Sequence, residues 1–212
     1  MSTHAPSPQR HISLGFTPEQ YPEGIHICYL YSDEDERRRF MAEFVSSGIQ
    51  QGEAVVYLAD AAPEMLDLAT AGLCTGTAPA QGQFTAATAV ETYCPNGRFV
   101  PQAMLDTLHE IYTCRAATCE GVRGTGEMSW ALHRIPGSER LIEYEAGINE
   151  LLLTDRFTVL CQYDIRRFSG ATIFELLNVH PFMIVSGQIM RNPFYVAPVP
   201  GHGATYENRD DQ

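Results

Sequence analysis

Along this chain the spacing of apolar positions switches repeatedly between the period of a strand and that of a helix. "IHICYLY" (25–31), "EAVVYLA" (53–59) and "FTVLCQYD" (157–164) are β-branched or aromatic runs of strand length. Behind the first run, Phe40, Met41, Phe44 and Val45 form a helical stripe, with Ser32 as its cap, Asp35 as the capping-box partner and Gly48 as its stop. Pro63 opens a helix carrying Met65, Leu66, Leu68 and Ala69, and Pro101 opens another with Met104, Leu105, Leu108, Ile111 and Tyr112 on one side. "GQFTAATAV" is a weaker strand, and "GVRGTGEMSWAL" a strand that runs into a loop. Ser138 caps the helix "ERLIEYEAGINELLL", and "ATIFELLNV" is a helix that must end before Pro181. "RNPFY" offers an Asn-Pro turn before a last strand.

Strands alternating with helices predict an α/β fold, a single three-layer sandwich with a mostly parallel central sheet covered on both faces. Ligands in such sheets bind beyond the carboxyl ends of the strands. Residues 21–198 read as the folded unit, with 1–20 and 199–212 as flexible, Pro/Gly-punctuated ends. A chain of 212 residues, 44% hydrophobic, suits one core.

Charge narrows the choice of function. The 26 acidic residues outnumber the 14 basic ones, and a net charge of -12 argues against direct contact with nucleic acid or an anionic membrane. Every basic residue is arginine. Without lysine there is no Walker A loop, no pyridoxal-phosphate linkage and no Schiff-base aldolase. The turn after the first strand, "SDEDE", places four consecutive carboxylates where a phosphate cradle would lie. They would repel a triphosphate and suit the positive end of the helix that follows. No ATP/Mg site is therefore expected. The N-terminus lacks an apolar signal segment, no run is long enough to span a membrane, and the six scattered cysteines include no CxxC pair. A reduced, cytoplasmic protein is the expectation.

The ordered blocks "HICYLY", the F-x3-G-x3-GEAVVY stretch, "GEMSWAL", "LIEYEAGINELL", "FTVLCQYD" and "HPFMIVSGQIMRNPFY" carry a resemblance. Over about residues 20–198 the chain resembles the MEDS domain, the sensory domain of methanogen and methylotroph proteins. The resemblance implies a RecA/KaiC-like sandwich with a degenerate P-loop, used as a sensory input module, and leaves the ligand open. The resemblance also implies that many relatives carry a fused DNA-binding or kinase domain, and none is expected within these 212 residues. A separate kinase or regulator is then the expected protein partner, and self-association is expected from the KaiC-like relatives.

Candidate site residues also follow from the residues alone. Alternation in "HICYLY" puts His26, Cys28 and Leu30 on one face and Ile27, Tyr29 and Tyr31 on the other. His26 and Cys28, joined by Cys161 and His180, make a set that suits a soft metal or haem; the competing reading is a packed, hydrogen-bonded structural pair. Glu145 falls on the inward stripe of Leu141, Ile148 and Leu152, with Asn149 one turn on. Buried there it needs a partner, and Arg123, Arg140, His26 and His180 are the candidates. Glu143, with Gly147 and Glu150, faces outward. Glu127 falls where a Walker B acid would, either as a site carboxylate or as a cap for backbone N–H groups. Tyr31, Trp130 and Tyr163, together with Tyr29, Phe182 and Met183, have the composition of a small apolar pocket and equally of a core.

The expected ligand site thus comprises His26, Cys28, Tyr31, Glu127, Trp130, Glu145, Cys161, Tyr163 and His180. The favoured function is a non-enzymatic sensory domain for a small one-carbon-related or apolar molecule, or a metal-based cofactor. The alternatives are an enzyme using Glu127 or Glu145 as acid/base with Cys28 or Cys161 as nucleophile, and an interaction module with no ligand.

Overall fold

The computed structural model describes residues 10–60 and 82–197. In chain order its elements are β1 (His11–Ser13), β2 (Gln20–Pro22), β3 (His26–Tyr31), α1 (Glu34–Gln50), β4 (Ala54–Ala59), β5 (Phe84–Thr88), α2 (Ala89–Tyr93), α3 (Pro101–Ala116), β6 (Val122–Glu127), α4 (Leu141–Leu151), β7 (Phe157–Asp164), α5 (Gly170–Val179), β8 (Phe182–Val185) and β9 (Gln188–Arg191). The helix predicted from Pro63 lies outside the described residues. No described helix is long and apolar enough to cross a membrane.

Seven strands form one sheet in the order β5-β4-β6-β7-β3-β8-β9. All neighbours are parallel except the β8–β9 hairpin. Strand alternation then sorts the side chains into two cores. Cys28, Val56, Leu58, Val159, Cys161 and Tyr163 face one side, under α3, α4 and α5, where Met104, Leu108, Leu141, Tyr144, Ile148 and Leu176 cover them. Ile27, Tyr29, Tyr31, Val55, Tyr57 and Leu160 face the other, against Phe40, Met41, Phe44 and Val45 of α1. The result is the three-layer sandwich with a mostly parallel sheet that the alternating periods predict.

Local details depart from the reading of the sequence. Asp33, not Ser32, caps α1: its backbone is extended, and its carboxylate accepts from the N–H groups of Asp35 and Glu36. A charged acceptor at the positive helix end wins over a hydroxyl one residue earlier. Gly48 does not stop α1, which runs to Gln50. The glycine serves a close approach, since a Cβ there would stand 2.8 Å from the Arg123 side chain and from Val55. Ser138 starts a short 3-10 turn rather than capping α4.

Residues 10–20, expected to be a flexible end, are folded. β1 pairs with β2, Ile12 and Leu14 are buried in the α1-side core, and the Ser13 carbonyl accepts from Arg123 Nη2 at 3.0 Å. The β8–β9 hairpin was not foreseen; Ser186 and Gly187 both take positive φ (49° and 75°), the mirror-image turn that suits a twisted two-residue hairpin. The Asn-Pro turn of "RNPFY" is followed by no strand among the described residues. Asn192 there acts as a clamp, donating from Nδ2 to the carbonyls of Leu177 (2.6 Å) and His180 (2.8 Å).

Candidate functional site

On the α4 side of the sheet, four side chains that are at most 1% exposed converge: His26, Glu145, Cys161 and His180. His26 opens β3, and Cys161 lies in the neighbouring β7, on the same face because Cα pairing sets His26 against Val159 and Cys28 against Cys161. Glu145 comes down from α4, and His180, just past α5, lies against His26 with ring centres 4.1 Å apart and planes tilted by 39°. Glu145 Oε2 stands 3.1 Å from His26 Nε2 and 3.3 Å from His180 Nε2. Cys161 Sγ lies 3.4 Å from that same oxygen and 3.6 Å from His26 Nε2. The other carboxylate oxygen, Oε1, accepts from the Tyr163 hydroxyl at 2.7 Å.

Hydrogen bonds outside the cluster fix both imidazoles. His180 Nδ1 donates to the Leu176 carbonyl at 2.7 Å, an oxygen that can only accept. Asn149 gives its Nδ2 hydrogens to the Val179 carbonyl at 2.7 Å, so its Oδ1, 3.1 Å from His26 Nδ1, is the acceptor in that pair. Each Nδ1 therefore carries a proton, and in the neutral ring each Nε2 presents a lone pair to the carboxylate. His180 Nε2 makes no aligned hydrogen bond among the described residues, although it approaches Glu145 Oε2 to 3.3 Å.

The electrostatics pull against one another. Burial, reinforced by the neighbouring His180, pushes His26 down to about 4. Burial would raise the Glu145 carboxyl, but the contacts with His180 and His26, whose rings stabilise its charge once protonated at Nε2, more than reverse this and hold it below the usual carboxylate range. Burial first, then the Glu145 charge, pushes the Cys161 and Cys28 thiols well up.

Of the four partners expected for Glu145, His26 and His180 are found. Arg123 instead pairs with Glu53 and donates to the Phe44 carbonyl, and Arg140 pairs with Glu143 on the surface. Cys28 is buried on the right face, but Glu145 takes its place in the metal-type quartet read from the sequence.

Glu127 and Tyr31 belong elsewhere. Arg123, Thr125 and Glu127 of β6 point toward α1, and Glu127 Oε1 accepts from Arg37 Nη1 (2.8 Å) and the Tyr57 hydroxyl (2.8 Å). Its Oε2 accepts from the Asp60 N–H at 3.3 Å, the backbone-capping role considered from sequence. Arg37 also donates to Gln162 (3.2 Å) and Glu34 (2.8 Å) and lies 5.3 Å over the Tyr31 ring. Arg166 ties Glu34 to Asp164. The carboxyl ends of β3, β6 and β7, where ligands were expected, thus carry the protein's own ion network. The His/Glu/Cys cluster sits not beyond the strand ends but beneath the helices.

Trp130 is core, stacked on Tyr93 at 4.7 Å and tilted against Phe99 at 4.5 Å. Sequence reasoning overlooked Arg37, although Arg37, Phe40, Met41 and Phe44 share one helical stripe, which marks the arginine as inward-facing.

The sequence profile of the methanogen/methylotroph, DcmR sensory domain matches residues 25–181. The transcriptional repressor DcmR of Methylorubrum extorquens is 39% identical over 82 residues, 36% of this chain and 30% of the repressor, so the match spans under a third of that protein. The KaiC-like protein PH0186 of Pyrococcus horikoshii superposes with a TM-score of 0.57 over 83% of this chain and 80% of its own, at 16% identity. The flagellar accessory protein FlaH of Methanocaldococcus jannaschii does so with a TM-score of 0.56 over 85% and 84%, at 8% identity. The likeness to these two is one of fold, the RecA/KaiC-like sandwich. By the extent of the profile match, this chain belongs to the MEDS family of sensory domains.

Proposed function

We propose that the chain is a sensory module that receives its signal at the His26–Glu145–Cys161–His180 cluster and passes it on to a protein partner or a second copy of itself, without nucleotide turnover. Membership of the MEDS family and the partial match to a transcriptional repressor support a regulatory role. The observation that carries the choice of site is the convergence of both His Nε2 atoms on one carboxylate oxygen in a fully buried, otherwise apolar layer. A guest in the MEDS fold is read here as a small one-carbon-related or apolar molecule or a metal-based cofactor, held by these groups. A change of occupancy would alter the packing of α4 and α5 on the sheet, which is how a differential affinity reaches a partner.

The enzyme reading fares worse. Both candidate nucleophilic thiols are pushed up rather than down, the reverse of what activates a cysteine. Glu127 is committed to Arg37 and Tyr57. The test is a thermal melt of the metal-free and metal-loaded protein across one-carbon compounds, with product analysis alongside. A ligand-dependent rise in melting temperature without product is expected. Melting curves unmoved by the whole panel would contradict the sensory reading, and turnover lost in Glu145→Gln would replace it with the enzymatic one.

A further inference from the structure

We propose that His26 Nε2, His180 Nε2, Glu145 Oε2 and Cys161 Sγ form a closed tetrahedral site for one divalent first-row transition ion, with zinc as the best fit. This rests on the cluster being the site of the sensory module and names its resident guest. The first support is spacing. A tetrahedral zinc with bonds of about 2.0–2.1 Å to nitrogen and oxygen and about 2.3 Å to sulfur sets its ligand atoms roughly 3.3–3.6 Å apart. The contacts of 3.1, 3.3, 3.4 and 3.6 Å lie close to four of the six edges, and all four donor atoms lie within 4.8 Å of one another.

Orientation is the second. Histidines that bind metal give their other ring N–H to a carbonyl or carboxylate, which fixes the ring and the tautomer. Here Leu176 O holds His180 Nδ1 and Asn149 Oδ1 holds His26 Nδ1, with Asn149 itself anchored on Val179 O. Tyr163 holds the carboxylate oxygen not used for the metal. Three of the four ligands, His26, His180 and Glu145, thus have their outer support.

The third is how well protons could serve instead. With each Nδ1 already committed to an acceptor, both Nε2 atoms aim at one carboxylate oxygen that the Cys161 thiol also approaches. One proton added to the group would satisfy one of the Nε2–Oε2 contacts, whereas a cation at the centre satisfies both and draws the thiol to thiolate. Two imidazoles, a carboxylate and a thiolate suit zinc or cobalt(II) better than calcium or magnesium, which prefer all-oxygen shells. Four protein donors leave no open position, so the ion would be structural or regulatory rather than a catalyst of water attack.

The test loads chelator-treated protein with zinc(II) or cobalt(II) alone. One equivalent per chain is expected, a zinc-dependent rise in melting temperature, and for cobalt(II) intense tetrahedral visible bands with a thiolate charge-transfer band. Cys161→Ser should remove the charge-transfer band, and Cys28→Ser should keep it. Glu145→Gln should leave the metal-free fold intact, because its amide can donate to the imidazoles, yet weaken zinc binding by about 100-fold or more. The proposal is overturned if folded wild type binds no stoichiometric metal, if Cys28→Ser rather than Cys161→Ser removes the band, or if Glu145→Gln binds zinc as tightly as wild type. An organic ligand that stabilises protein unable to bind metal would sink this inference and leave the sensory reading standing. Stoichiometric zinc in a protein deaf to every organic ligand would do the opposite.

Discussion

His26 concentrates the chemistry of the site in one ring. Its folded pKa of about 4 lies below the 6.5 of an unperturbed imidazole. As pH falls from 7, the unfolded chain takes up a proton that the folded chain refuses. Stability contributed by this group is therefore fully present above pH 6.5 and is lost progressively down to about 4. The loss should approach roughly 3 kcal/mol across that window. Glu145, whose folded pKa is lowered, adds its own loss only as pH falls below the ordinary carboxylate value of 4.5. Urea unfolding of metal-free protein at pH 7, 6 and 5 checks this: the midpoint should fall steadily, and His26→Gln should flatten the fall. A wild-type midpoint constant over that range would contradict it. Glu145→Ala, which strands the Tyr163 hydroxyl and empties a packed position, should cost about 2–5 kcal/mol in the same assay.

Much of this site was legible in the sequence. Alternation placed His26 with Cys28, helical spacing drove Glu145 inward, and burial demanded a partner that two histidines supply. The exchange of Cys28 for Glu145 in the quartet was not legible, because convergence depends on side-chain reach and ring orientation, which spacing does not encode. Nor did "VRGTGE" reveal that Glu127 faces α1. Alternation groups it with Arg123 and Thr125, but only the packed sheet says which layer that face meets.

Helix α1 tests how packing overrides propensity. Glycine inside a helix is ordinarily improved by alanine by up to about 1 kcal/mol. Gly48 should behave in reverse. A Cβ there meets Arg123 Cδ and Nε at 2.8 Å, and that side chain is tethered to Glu53 and to the carbonyls of Phe44 and Ser13. Gly48→Ala should therefore lower stability by about 1–3 kcal/mol, measured by denaturant midpoint; a stabilised variant would show that Arg123 yields freely. The same helix delivers Arg37, 2% exposed, to Glu127. Glu127→Ala should cost about 2–3 kcal/mol by removing the buried carboxylate from a guanidinium that keeps Glu34 at its edge. It should leave zinc binding unchanged, because Glu127 and the His/Glu/Cys cluster occupy opposite faces of the sheet.

The fold class was readable because strand and helix periods alternate cleanly, and the order of strands was not, since periodicity says nothing of which strands pair. In the assembled molecule the residues that would hold a phosphate are replaced twice. The turn is an acidic helix cap formed by Asp33, and the strand ends beyond it are closed by the Arg37–Glu127 and Arg166–Asp164 pairs. The buried His/Glu/Cys cluster lies in the interior of the other layer, beneath α4 and α5. Calorimetric melting of wild type and Glu145→Gln, each with zinc(II) and with Mg-ATP, probes its role directly. Zinc should raise the wild-type transition and not that of the variant, and Mg-ATP should move neither. A transition raised by Mg-ATP in both proteins, with zinc inert, would mean that this chain binds nucleotide and that the buried cluster is only a structural clamp.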